Sequence, residues 1–592
     1  MTTIFSVVCA VPILLLALAT SVSAAERRSI EEIIPEGATM AFLVRDVAQI
    51  RDVVLGKSPF FSEPKIRELL EEFEISPQTV AESFRSNTGF ALEEILGACD
   101  GPAAVAMFFG PDGKIDTPDD YGIAAIAVKD GPAAIELWAR VREKMAESRK
   151  DEIVRAREDD YEGADIWTLT VREPGDAARD ENLPDKNEHY CLFNGHLVTT
   201  NTRELMEKAI LALKGKDVPA LSRNADWRAA VERLGNAVDY VMAVDMIPLV
   251  ETLRKSATGP ALSGAQLTKA LGLDDLRGVY AGARIAEEVT DFRFFIHAPA
   301  PRTGIPKIFS PAESALEPDK FAPADAISAS ASNVSFAELF AEAERIVREI
   351  APQQAGMIPM MISMVEQQTQ VNLRKDLLEL LTPPLYSLVT AAATPGEKPN
   401  QLLYFRSIDA KKALDSLKKL ITGGSQGMAS LDESEYLGYK ISTLELGIDD
   451  EEEGDPFGVP EFAFAATDTH LFVSVSGKRA IEDALRRIGK DDRPLTASDD
   501  WKRATASLPA QRWNVGFARL GSQWKLELDS LGNFATMADN PALDALASLD
   551  PAVLAKYADL AAYESHSDGA GIVFSMRIFP PSTRTTPSKT ER

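Results

Sequence analysis

The letters Gly423-Gly-Ser425-Gln-Gly427 fit the G-x-S-x-G of a nucleophile elbow. An elbow needs a strand before the serine and a helix after it. Here Ser425 follows the Lys-rich amphipathic stretch 410–420, so the glycines read as a helix C-terminus entering a flexible loop. Ser416-Leu-Lys-Lys419 fits S-x-x-K but falls inside that same helix. The histidines are His189, His196, His297, His470 and His566. No two of them have the i, i+4 spacing of a zinc helix, and H-E-x-x-H does not occur. His196 and His470 each stand before an apolar strand and read as turn residues with a polar tip. The acidic stretches 112–120 and 449–455 lack EF-hand spacing and read as solvated loops. No P-loop or dinucleotide fingerprint follows a strand, which leaves nucleotide cofactors without support. No catalytic, cofactor-binding or metal residue is assigned, and no cofactor is expected.

A chain of 592 residues exceeds one hydrophobic core and calls for several domains. Its net charge of -27 argues against nucleic acid, whose phosphates need clustered Lys and Arg. It argues equally against simple adsorption to anionic lipid. Residues 4–19 form an apolar run, and Val22-Ser-Ala24 and Ser23-Ala-Ala25 fit the small-x-small rule for signal-peptide cleavage. The run is shorter than the ~20 residues of a spanning helix, and the alternative is an uncleaved anchor. After signal removal no segment is long and apolar enough to span a membrane; 356–365 comes nearest. Cys99 and Cys191 would then be the remaining cysteines, either paired in an oxidising compartment or buried as free thiols.

The elements that must position any site alternate in a way that repeats. Strands are expected at 102–109, 121–128, 166–171, 189–200, 240–244, 278–285 and 290–297, with helices near 133–141, 202–213 and 225–234. Strand pairs follow turns rather than regular crossover helices, which favours α+β with antiparallel sheet. After Pro301 the order begins again. Tyr436-x-Gly438-x-x-Ile441-x-Thr443-Leu444 matches Tyr161-x-Gly163-x-x-Ile166-x-Thr168-Leu169 without a gap. Asn224 and Ser498 each stand three residues before a tryptophan, Trp227 and Trp501, where they can cap a helix. Trp501 follows Trp227 by 274 residues and Pro323 follows Pro35 by 288. The expected organisation is a signal peptide 1–25, a first α+β repeat 30–300, a linker 301–320, a second repeat 321–579 and a disordered tail 580–592.

Given the Pro35-Glu-Gly-Ala and Pro323-Ala-Asp-Ala openings, an L-x-x-x-L-L motif and this repeated order, the chain resembles a group of bacterial exported proteins catalogued as a domain of unknown function. The resemblance spans about residues 34–580 and implies no activity, ligand or catalytic residue. Asn333-Val-Ser335 matches a glycosylation acceptor that a bacterium would leave idle. The functional expectation is an exported, non-catalytic envelope protein, periplasmic or extracellular, that binds a partner protein or an apolar ligand. The alternative is an exported hydrolase with a site assembled from acidic residues or Ser425.

Overall fold

The computed structural model describes residues 29–47, 63–72, 90–108, 121–129, 132–171, 186–235, 238–255, 263–286, 289–309, 316–351, 356–392, 399–425, 429–446, 461–488, 493–525 and 547–581, with a few isolated positions between. The expected signal peptide 1–25, the acidic stretches 112–120 and 449–455, and the tail beyond residue 581 lie outside the described residues. The chain divides into two compact units. One comprises Met1–Thr252 with Leu276–His297, the other Leu253–Asp275 with Ala298–Arg592.

The first unit carries β1 (Met40–Val44), β2 (Cys99–Met107), β3 (Gly122–Val128), β4 (Ile153–Tyr161), β5 (Ala164–Val171), β6 (Lys186–Phe193), β7 (His196–Thr200), β8 (Tyr240–Asp245), β9 (Gly278–Ile285) and β10 (Thr290–His297). They pair antiparallel in the order β4-β5-β6-β7-β3-β2-β1-β8-β9-β10. The second unit carries β11 (Ser328–Ser332), β12 (Leu381–Thr390), β13 (Asn400–Ser407), β14 (Ala429–Tyr436), β15 (Tyr439–Leu446), β16 (Ala463–Ala466), β17 (His470–Ser474), β18 (Asn514–Arg519), β19 (Leu560–Ser567) and β20 (Gly571–Phe579). Its order is β14-β15-β16-β17-β13-β12-β11-β18-β19-β20, again antiparallel. Each unit is thus an antiparallel sheet with helices, an α+β architecture, and the two strand orders correspond position by position.

Local chemistry explains the shared sequence signatures. The x-Gly of each Y-x-G pattern is a two-residue turn with both φ positive, Glu162 and Gly163 in one unit, Leu437 and Gly438 in the other. Such type I′ turns match strand twist and fix hairpin register, so Ile166 and Ile441 both arrive fully buried. A third positive-φ pair, Asn194 and Gly195, splits the expected strand 189–200 into β6 and β7. In both tryptophan helices the cap forms as expected. Asn224 Oδ1 accepts from the Trp227 amide at 2.9 Å and Ser498 Oγ from the Trp501 amide at 3.1 Å. Both indoles are buried, Trp227 edge-on to Tyr280 and Trp501 against Phe517.

Three boundaries differ from expectation. The helix at 410–420 continues to Gly424, because Gly423 lets Thr369 of the neighbouring helix approach where a Cβ would lie 2.9 Å from its methyl. Residues 253–275, expected in the first repeat, belong to the second unit, where the Ala270 carbonyl accepts from Arg345 at 2.7 Å. Within the expected linker 301–320, the described residues 301–309 and 316–320 belong to the second unit. The buried Arg512 guanidinium donates twice to the Leu316 carbonyl, at 3.1 and 3.0 Å, and fastens it to the second unit.

Replacing Trp227 or Trp501 with Ala is expected to cost about 3–5 kcal/mol each, because a buried ring leaves a cavity. Denaturant unfolding of the two variants measures it; an unchanged midpoint for either would remove that indole from the core.

Candidate functional site

Among the described residues, those with sequence-level claims on chemistry stand apart from one another. Ser425 is the C-cap of the helix Ala410–Gly424, and its hydroxyl donates to the Thr422 carbonyl at 3.2 Å. A helix precedes it where an elbow needs a strand. Ser416 is buried inside the same helix. Cys99 and Cys191 are both buried free thiols, pushed up to about 11 and about 12 by burial. Thiols in that state are inert rather than nucleophilic.

The histidines differ from expectation: His196 and His470 open β7 and β17 but are enclosed, not turn tips. His196 Nδ1 lies 2.9 Å from the Asn194 carbonyl, which can only accept, so that nitrogen carries the proton. His470 sits beside Asp319, with Nε2 to carboxylate 3.5 Å, and its Nδ1 lies 2.9 Å from Thr469 Oγ1. The Tyr404 hydroxyl donates to the same Asp319 at 2.8 Å. Acid, imidazole and phenol together have the makings of proton-transfer chemistry. However, Tyr404 is 1% exposed, stacked between Tyr386 and Phe472, and Phe321 packs edge-on against His470. A substrate would have to displace that aromatic core. The cluster is a polar lock in the core of the second unit. His297 beside Asp226 at 3.3 Å, and His566 beside the buried Glu564 at 3.0 Å, are further acid–imidazole pairs.

One cleft in the first unit, bordered by Pro35, Phe108, Tyr121, Lys208 and Pro248, measures about 250 Å³. That is below the ~300–1,000 Å³ of small-molecule sites. Its cation is already engaged, Lys208 Nζ to Glu204 at 2.6 Å.

The feature that stands out is the sheet of the first unit. Val105, Phe42, Met242, Ala281 and Phe294 face one another in register across β2, β1, β8, β9 and β10. Met40 adjoins them on β1. The large members of this set, Met40, Phe42, Val105, Met242 and Phe294, are 37–47% exposed. Their neighbours along the strands, Ala41, Leu43, Ala104, Ala106, Val241 and Phe295, point the other way and are buried. The corresponding row of the second unit is Ser387, Ser330, Gly516, Tyr563 and Met576. There the Tyr563 ring lies across Gly516, where any Cβ would collide with it at 1.9 Å, and bonds Ser330. One face is thus apolar and open, its counterpart small, polar and closed. The open face was missed in the sequence, although β1 is apolar at every position. Such a strand has something to bury on both faces.

No protein-family model matches the chain. No curated protein matches it. Among solved structures, crystal form I of TP0453 aligns with a TM-score of 0.23 and 11% identity, over 47% of this chain and 82% of that one. Crystal form III aligns with a TM-score of 0.23 and 10% identity, over 50% and 91%. A likeness at that score carries no argument about function.

Burial lowers the His470 pKa, with Asp319 opposing and Arg406 and Lys320 assisting; burial likewise lowers His189, with Arg203 and Arg157 assisting. A folded pKa below the unfolded value gives stability present above the unfolded pKa and lost as pH falls. The melting temperature is therefore expected to drop as pH falls below about 6.5, the ordinary imidazole value. His470→Gln should flatten part of that slope in a pH series of thermal melts; an unaltered slope would clear His470 of the effect.

Proposed function

We propose that this chain is an exported, non-catalytic binding protein of the bacterial envelope, built from two tandem copies of one α+β domain, and that its partner is a protein. The carrying observation is the open apolar row of the first unit, Val105, Phe42, Met242 and Phe294. Soluble proteins rarely leave large contiguous apolar patches uncovered unless something docks there. Five adjacent strands spaced ~4.8 Å apart carry this row across roughly 19 Å. A row that extends across five strands suits a protein surface better than a small apolar ligand, which needs a concave pocket to bury most of its area.

Duplication is supported by the matching strand orders, the paired type I′ turns and the two capped tryptophan helices. Export rests on the apolar, small-residue N-terminus and on the resemblance to exported bacterial proteins. Among the described residues, no helix is long and apolar enough to cross a membrane. Divergence between the copies explains why one sheet face is open and the other closed: after duplication, binding was kept by one copy.

A photo-crosslinking residue at Phe42 is expected to capture a protein in the intact envelope, and one at Ser330 to capture none. The double variant Phe42→Asp, Met242→Asp should remain folded, with its melting temperature unchanged or raised, and lose that partner. Native mass spectrometry of protein isolated from its own envelope provides the second reading. A bound lipid in place of a protein, or equal crosslinking from Ser330, would sink the proposal.

A further inference from the structure

The helix Met357–Thr369 of the second unit has a composition that packing does not explain. It rests on its neighbours through Ile362, Glu366 and Thr369, with Thr369 against Gly423 and Gln368 Nε2 donating to the Gly423 carbonyl at 2.6 Å. The opposite face carries Met357, Met360, Met361 and Met364, exposed by 53%, 57%, 58% and 60%. Four of the chain's 14 methionines thus fall within eight consecutive residues, on a face with no core to fill. At 3.6 residues per turn the M-x-x-M-M-x-x-M spacing puts all four side chains within an arc of roughly 100°, each one turn or less from the next.

We infer that this face is a binding site for a soft monovalent metal ion, Cu(I) or Ag(I), held by methionine thioethers. Thioether sulfur is a soft donor that selects such ions over zinc, calcium and magnesium, which prefer nitrogen, thiolate or oxygen. Methionine has three rotatable bonds, so three sulfurs from adjacent turns can close on one ion without moving the backbone. Among the described residues both cysteines are buried, as are His189, His196 and His297, and the other strongly exposed methionines, Met40 and Met242, lie in the first unit. A thioether holds no proton, so the ion displaces only water and binding releases no proton. In an exported protein, thioethers also offer soft ligation that cannot be consumed by disulfide formation. The site is in a different unit from the open sheet face and stands without the partner proposal.

The test is competition between the full chain and bicinchoninate for Cu(I) kept reduced by ascorbate, near neutral pH and again near pH 5. The wild-type protein is expected to withdraw Cu(I) from the chelator at both pH values, after correction for the chelator's own titration, and to be unaffected by excess Zn(II). Replacing all four methionines by leucine (M357L, M360L, M361L, M364L) should weaken binding at least ~10-fold while the thermal melt stays in place, since leucine lacks only the donor. The double variant Cys99→Ala, Cys191→Ala should bind as wild type. No withdrawal of Cu(I) by the wild type, equal affinity in the four-leucine variant, loss of binding near pH 5, or loss in the cysteine variant would each overturn the site.

Discussion

An antiparallel strand points successive side chains to opposite faces, and every such face must be covered or be compatible with water. Most of what distinguishes the two units follows from how each meets that requirement. Both bury one face under helices, with Trp227 and Trp501 as anchors held by side-chain caps. They diverge on the other face. The second unit makes it small and polar with Ser328, Ser330 and Ser332 and lays Tyr563 over it. The first leaves Phe42, Val105 and Met242 there.

Much of the fold was legible in the sequence because it is written in local chemistry. Positive-φ turns need Gly or a tolerant neighbour, caps need Asn or Ser, and both leave letters that recur. Strands β9 and β10 read directly at 278–285 and 290–297 from their apolar runs. By contrast, β4 and β14 were invisible, for good reason. Ile153–Tyr161 and Ala429–Tyr436 are mostly charged or polar and largely exposed, and each pairs with a single described neighbour. A strand that buries almost nothing has no hydrophobic period, and its charges are what keep such an edge from recruiting another chain. The boundaries at 253–275 and 301–320 were hidden because they depend on long-range contacts, Arg345 to Ala270 and Arg512 to Leu316, that no local pattern encodes.

The candidate sites were less legible than the fold. The letters that resembled chemistry, Gly423-Gly-Ser425, turned out to serve helix packing. The open face of the first unit and the methionine face of the second both consist of apolar residues, which a sequence presents as ordinary core. Exposure alone separates them from core, and exposure is a property of the assembled structure. The spacing of Met357, Met360, Met361 and Met364 was readable in advance, since it places four identical donors on a single helical stripe.

The buried faces hold a different lesson, in how the two sheets fill equal space with unequal side chains. Across β1, β2, β3 and β7 the central row is Leu43, Ala104, Ala125 and Val198. Across β11, β12, β13 and β17 it is Ala331, Tyr386, Tyr404 and Phe472. Bulk lies on the first strand in one sheet and on the next three in the other. Two sheets of the same strand order in one polypeptide risk exchanging strands while the chain is still unfolded. Here an exchange would change the volume of the row in either direction: β1 beside β12 would put Leu43 where Ala331 stands, and β11 beside β2 would put Ala331 where Leu43 stands. The complementary sizes act as a lock-and-key code that tells each strand which sheet is its own.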